Sequence, residues 1–230
     1  MTFSIVAIDA DAGVMGGAVS SCVLAIGPRV LFVEPGVGVV AAQAGSEYPW
    51  ARLLLHGLRS DVDEALAGYQ VNDAAAEGQV GFVTALGERR THTAAGCAPS
   101  AGGTVGEDFA VQANLVNGPL WDVMAESFSR STGPLAERLV AALCVAEAAG
   151  GDRRGAQSAA VVVVGTGVDG LPNGWPGDPC VDLRVDDARD PSAELRRLLQ
   201  VAAAHELLGG RSSATHRWST RRGWRPTIRW

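Results

Sequence analysis

The chain has 230 residues, 47% hydrophobic and 19% charged, a globular composition long enough to bury roughly 70–75% of the unfolded surface. All 19 of its Lys+Arg positions are arginine, which excludes Schiff-base chemistry, P-loop phosphate binding and lysine-tuned nucleophiles. Arg211, Arg217, Arg221, Arg222, Arg225 and Arg229 fall in an acid-free tail, so residues 1–208 hold 13 Arg against 25 acids, a net charge of −12. Such a body repels phosphate backbones and argues against nucleic acid as its partner.

One domain is expected over 1–208. Residues 209–230, with Trp218, Trp224 and Trp230 but no apolar periodicity, read as a disordered extension; adhesion to an anionic surface is the alternative. No basic segment precedes an apolar stretch at the N-terminus, and no run of 18 apolar residues occurs. Neither a signal peptide nor a membrane span is expected, and the expected location is cytoplasmic. Cys22, Cys97, Cys144 and Cys180 are too widely spaced for a metal-type pair and are expected to be reduced. No zinc site is expected.

In chain order, Phe3, Ile5 and Ala7 alternate with Ser4, Val6 and Ile8 in an opening strand from Thr2. The turn Asp9–Gly13 leads to a second strand over Gly17–Cys22. Val30–Val33 and Val37–Ala42 read as strands. A helix follows from Pro49 to His56, and Ser60 with Asp63 resembles a capping box for another over Asp61–Tyr69. Strands return at Gln79–Ala85, Arg89–Thr93 and Phe109–Asn114. Pro119 and Pro134 open helices, the second with Leu135, Leu139, Leu143 and Ala146 on one stripe and Gly150-Gly151 as its stop. Ala159–Val164 and Val181–Val185 are strands, and Asp190-Pro191 begins a helix to about Leu208. This order predicts two sheets with helices on their outer faces.

Gly165-Thr166-Gly167-Val168-Asp169-Gly170 fits the dinucleotide pattern G-x-G-x-x-G, directly after a strand. The prolines at 172, 176 and 179 bar the helix whose N-terminus would hold a pyrophosphate, so a nicotinamide cofactor is rejected. No G-x-S-x-G nucleophile elbow occurs. His92 reads as a general base or as an ordinary hydrogen-bonded strand residue. Cys97 is a nucleophile candidate without a visible base.

Thr2 is more informative. With Met1 removed it would carry a hydroxyl and a free α-amine on one residue, nucleophile and base together. It also begins a strand able to hold it rigidly. The cluster Gly151-Asp152-Arg153-Arg154-Gly155-Ala156-Gln157-Ser158-Ala159 lies between a helix stop and a buried strand. There Asp152, Arg153, Gln157 and Ser158 supply an orienting carboxylate, a substrate anchor and hydrogen-bond donors, or else a polar loop with an Arg–Asp pair. Gln112 and Asn114 end a strand, where an amide can donate to an oxyanion.

Together, Thr2-Phe3-Ser4-Ile5-Val6-Ala7, Val105–Asn114, Gly151–Ala159 and Val181–Asp187 resemble the bacterial domain of unknown function 1028 family over roughly residues 2–205. That family resembles the N-terminal-nucleophile hydrolases. The resemblance implies an α+β, four-layer αββα sandwich of two antiparallel sheets between helical layers. It implies amide cleavage with Thr2 at the nucleophile position. Asn114, Asp152, Arg153, Gln157 and Ser158 match motif positions of the family, and Gln43 and His92 fall at recognisable positions of its pattern. On the chemistry of these side chains we assign catalytic roles to Asn114, Asp152 and Ser158 and substrate binding to Arg153, Gln157, Gln43 and His92. Asn114 would stabilise the oxyanion, Asp152 and Ser158 would orient the amine, and Arg153 would hold a substrate carboxylate. No metal or organic cofactor is expected. The expected partners are a small-molecule substrate and, as an assembly, a homodimer. Cys22 stands where many members carry a larger polar or basic residue. The alternative reading is a binding or assembly protein that keeps the fold without chemistry.

Overall fold

A computed structural model of the chain describes residues 2–45, 48–71, 76–167 and 180–209, with Tyr48 and 205–209 placed by backbone alone. The opening strand β1 (Thr2–Asp9) turns through Asp9–Gly13 into β2 (Val14–Ser21). Asp9 Oδ1 accepts from the Ala12 N–H at 3.0 Å, and Gly13 supplies a φ of +66°. A short helix α1 (Gly27–Val30) precedes β3 (Leu31–Glu34) and β4 (Gly38–Ala44). Helices α2 (Tyr48–Gly57) and α3 (Val62–Gln70) follow, then β5 (Gly78–Thr84), β6 (Arg89–Thr93), β7 (Gly102–Val105) and β8 (Phe109–Asn114). Helices α4 (Leu120–Arg130) and α5 (Leu135–Ala148) lead to β9 (Ser158–Gly165), β10 (Val181–Val185) and α6 (Pro191–Gly209).

The strands form two antiparallel sheets, ordered β10-β9-β2-β1-β8-β7 and β3-β4-β5-β6. Three apolar layers hold them. Phe3, Ile5 and Ala7 of β1 pack with Leu139 and Leu143 of α5 and with Met124 and Phe128 of α4. Val6 and Ile8, from the other face of β1, meet Val39, Ala41 and Val83 of the second sheet. Val40, Val80 and Phe82 carry that sheet's outer face against Leu54 and Leu55 of α2 and Tyr69 of α3. Helix, sheet, sheet, helix is the expected αββα sandwich. The alternation in β1 therefore separates two buried faces, as a central strand requires.

Most elements fall where the pattern places them, with four departures. The cap of α3 is Asp61, whose carboxylate accepts from the Glu64 N–H at 2.8 Å, in place of a Ser60–Asp63 box. β2 begins earlier, at Val14. α1 takes Val30 from the expected third strand. β7 carries no alternation to read: a Cβ at Gly102 would meet the Trp121 ring at 2.7 Å, and one at Gly103 the Val111 carbonyl at 2.5 Å. Close packing there requires glycine, which erases the strand signature.

By internal packing the chain divides at Leu199, inside α6, into units of 1–199 and 200–230. The tail from 210 and the segment 168–179, with the end of the glycine-rich motif, lie outside the described residues. No described helix is long and apolar enough to cross a membrane.

Candidate active site

The far end of β1 is clamped first. Arg138 on α5 reaches Asp9 at 3.5 Å and Asp108 at 3.2 Å, with its guanidinium 4.2 Å from the Phe128 ring centroid. Thr2, at the other end, pairs with Ser21 on β2 and with Asn114 on β8. Its hydroxyl lies 3.1 Å from the Ser21 hydroxyl, and the residue is buried. A side chain so placed on a doubly paired strand is held with little freedom.

A cavity of about 400 Å³ opens beside it. Thr2, Gln43 and Asn114 line it together with Arg29, Glu77, Arg154 and the apolar Val23, Ile26, Val30 and Leu115. Its volume suits a small molecule. The backbone around it is strained. Among the described residues four non-glycines have positive φ: Ala25 (52°), Ala44 (62°), Ser100 (59°) and Leu115 (55°). Ala44 and Leu115 line the cavity, Ala25 lies between lining Val23 and Ile26, and Ser100 is two residues beyond lining Ala98. Each left-handed non-glycine costs about 1–2 kcal/mol, and such strain gathers at functional sites. A cavity of about 460 Å³ between β3 and β9 has no hydroxyl or thiol side chain in its described lining.

A buried amide network orients the site. Gln79 Nε2 donates to the Gly102 carbonyl at 3.0 Å, the Ala113 carbonyl at 3.1 Å and Thr93 Oγ1 at 2.8 Å. Carbonyls only accept, so this end of Gln79 must be the amino group. Its Oε1 then accepts from Gln43 Nε2 at 2.7 Å and Asn114 Nδ2 at 3.2 Å. Gln43 Nε2 also donates to the Thr2 carbonyl at 3.0 Å, and its Oε1 accepts from Ser4 Oγ at 2.7 Å. Gln112 Nε2 donates to the same Ser4 Oγ at 2.6 Å. Two main-chain carbonyls thus fix, through Gln79, which atoms Gln43 and Asn114 present beside Thr2.

Asp152 holds the backbone one residue beyond Ser21. Its Oδ2 accepts from the Cys22 N–H at 3.2 Å, and its Oδ1 from the Arg154 N–H at 2.7 Å. The Arg154 side chain pairs with it at 3.3 Å. Burial pushes the Asp152 carboxyl above its ordinary range, against the pull of those two N–H groups. The Cys22 thiol is pushed up to about 11, first by burial and then by the Asp152 charge and hydrogen bond.

Four expected residues lie elsewhere. Ser158 pairs with Ser21 across β9 and β2, but its hydroxyl donates to the Val23 carbonyl and accepts from the Ile26 N–H at 3.0 Å. It ties down the cavity wall, and the hydroxyl on Thr2 is that of Ser21. Arg153 turns outward to Asn117 Oδ1 at 3.1 Å and Ser100 Oγ at 2.8 Å, while its neighbour Arg154 lines the cavity. Gln157 Nε2 donates to Asp187 at 3.1 Å. His92 stands opposite Val80 on the outer face of its sheet, 3.0 Å from Gln70 Nε2 and edge-on to Tyr69. Burial lowers its affinity for a proton. One step along the strand, Thr93 faces inward beside Gln79, so the period of two keeps His92 out of the site. Cys97 is absent from the lining, and burial raises its thiol pKa. Ser21, Gln79, Arg29 and Arg154 are the site residues the sequence reading missed. No local pattern marks them, since Gln43 and Gln79 become partners only when β4 and β5 pair, and Ser21 meets Thr2 only when β1 and β2 do.

Among the described residues no group of three or more His, Cys, Asp or Glu could hold a metal. The chain is similar to protein SPO2555 from Silicibacter pomeroyi, with 28% identity over 88% of this chain and 89% of that one, at a TM-score of 0.76. HslV from Trypanosoma brucei (11% identity, 71% and 98% covered) and Anbu from Yersinia bercovieri (11%, 90% and 96% covered) each superpose at a TM-score of 0.43. No curated protein matches. The sequence pattern of the family of unknown function DUF1028 spans residues 2–195, and the chain belongs to that family.

Proposed function

We propose that the protein is an N-terminal-nucleophile amidohydrolase that cleaves a small acyl amide through Thr2 once Met1 is removed. The observation that carries this reading is the placement of the Thr2 hydroxyl. It begins a strand paired on both sides, 3.1 Å from Ser21 and at the wall of a strained, amide-lined cavity.

In this reading Thr2 Oγ attacks the substrate carbonyl while the Thr2 α-amine takes its proton, directly or through water. The oxyanion is held by the second N–H of Asn114 Nδ2, whose first is fixed on Gln79. The C–N bond then breaks and the departing amine takes the proton from the ammonium. Water hydrolyses the acyl ester. Gln43 positions Thr2 through its carbonyl, and Asp152 fixes the Cys22 backbone next to Ser21.

The test is the intact mass of untagged protein made from its own start codon, followed by incubation with an acyl-trapping electrophile such as a β-lactone. Loss of Met1 and one acyl adduct on Thr2 are expected. Full retention of Met1 blocks the amine base, overturns the hydrolase reading and leaves a binding protein on the same fold.

A further inference from the structure

The Thr2 cavity has a cation in its lining that no carboxylate among the described residues engages. Arg59, Arg90, Arg130, Arg138, Arg184 and Arg197 each pair with a carboxylate. Arg29 makes no ion pair among the described residues, in a body whose net charge is −12. Its backbone is fixed in α1, where the Arg29 N–H donates to the Ile26 carbonyl at 3.0 Å. It lines the cavity with Arg154 and Glu77. The lining holds two guanidinium groups and the Glu77 carboxylate. Arg154 already shares its charge with Asp152, which makes Arg29 the principal anchor. One guanidinium without a carboxylate of its own fits a monoanion better than a phosphate dianion, and its fork matches a carboxylate. Val23, Ile26, Val30 and Leu115 supply an apolar wall.

We infer that the substrate is a small N-acyl amino acid, its carboxylate held by Arg29 and its apolar acyl chain against that wall. The inference rests on the amidohydrolase reading for its chemistry, though not for its binding. Thr2 Oγ forms the ester as the acyl C–N bond breaks, and the amino acid leaves with the proton from the Thr2 ammonium.

Hexanoylglycine and hexanoylglycinamide differ only in the carboxylate, so they isolate its contribution. Calorimetric titration of each uses the processed full chain, Thr2→Ala, and Arg29→Ala; Arg29 is exposed, so its replacement leaves the fold intact. The acid should bind at least about tenfold more tightly than the amide, in wild type and Thr2→Ala alike. Arg29→Ala should abolish that preference without changing amide affinity. Equal affinities in wild type, a preference that survives Arg29→Ala, or no binding of either compound overturns the inference. A hexapeptide ending in glycine that binds as tightly as hexanoylglycine overturns the small-molecule assignment. A carboxylate preference without turnover sinks the hydrolase reading alone. Turnover of hexanoylglycinamide equal to that of the acid sinks this inference alone.

Discussion

Thr2 and Asn114 are register partners across β1 and β8, and both side chains reach one cavity. A candidate nucleophile and a candidate oxyanion donor are therefore fixed by adjacent strands of one sheet rather than by loops. Strands change little in relative position, so the spacing is set by main-chain hydrogen bonds.

On the amidohydrolase reading, Thr2→Ala should abolish acylation while circular dichroism stays unchanged. Ser21→Ala should slow acylation roughly tenfold, because one hydrogen bond orienting the hydroxyl is lost. Adduct formation followed by mass spectrometry separates the two. Undiminished acylation of Thr2→Ala would remove Thr2 from the mechanism.

Gln79→Leu strips partners from Gln43, Asn114 and two main-chain carbonyls at once. Unfolding in urea should show a loss of about 3–5 kcal/mol, the range for a broken buried network. A loss below about 1 kcal/mol would mean that water replaces the amide and the orienting role is small.

Gln112 lies over Gly81, where a Cβ would sit 1.8 Å from Gln112 Oε1. That oxygen is buried and has no hydrogen-bond partner among the described residues. Gly81→Ala should cost about 2 kcal/mol, and Gln112→Ala in the same chain should return part of it. Strict additivity in the double-mutant cycle would contradict the contact.

Asp152 links the site to pH. Its folded pKa is raised above the ordinary 3.8, so the folded chain takes up this proton at a higher pH than the unfolded chain. The stabilising contribution is fully present below the unfolded value and is lost as pH rises through the folded one. Asp152→Asn lacks that slope. Between about pH 7 and pH 4, the stability difference between the two proteins should move in favour of wild type as pH falls. The same variant should speed alkylation of Cys22 several-fold at about pH 8, because the charge that helps hold the thiol near 11 is gone. Mass spectrometry after iodoacetamide treatment reads this directly.

Much of the architecture was legible because burial writes a period into the chain. The two-faced pattern of Thr2–Asp9 and the stripe Leu135, Leu139, Leu143, Ala146 each named an element and its buried face. β7 was not legible, since the glycines demanded by Trp121 and Val111 leave no pattern. Within the site, Thr2, Gln43 and Asn114 converge as expected. Arg153 and Arg154 are adjacent and chemically identical, and only the Val116–Asp152 bridge and the bonds of Asp152 decide which of them turns inward. Gln79 was hidden because its role depends on carbonyls of β7 and β8, which are distant in sequence.

The left-handed residues around the cavity also bear on how this protein trades durability for shape. Ala25 is pinned by its N–H to the Asp186 carbonyl at 3.1 Å, and Ser100 by its carbonyl to the Val116 N–H at 3.4 Å, so the surrounding fold imposes these conformations. A chain under selection for thermal endurance alone would carry glycine at Ala25, Ala44, Ser100 and Leu115, relieving about 1 kcal/mol at each. The Cβ at these positions instead confines the rim to one conformation. A thermostabilised version obtained through those four sites would therefore be expected to melt later and to hold the rim of the cavity less rigidly.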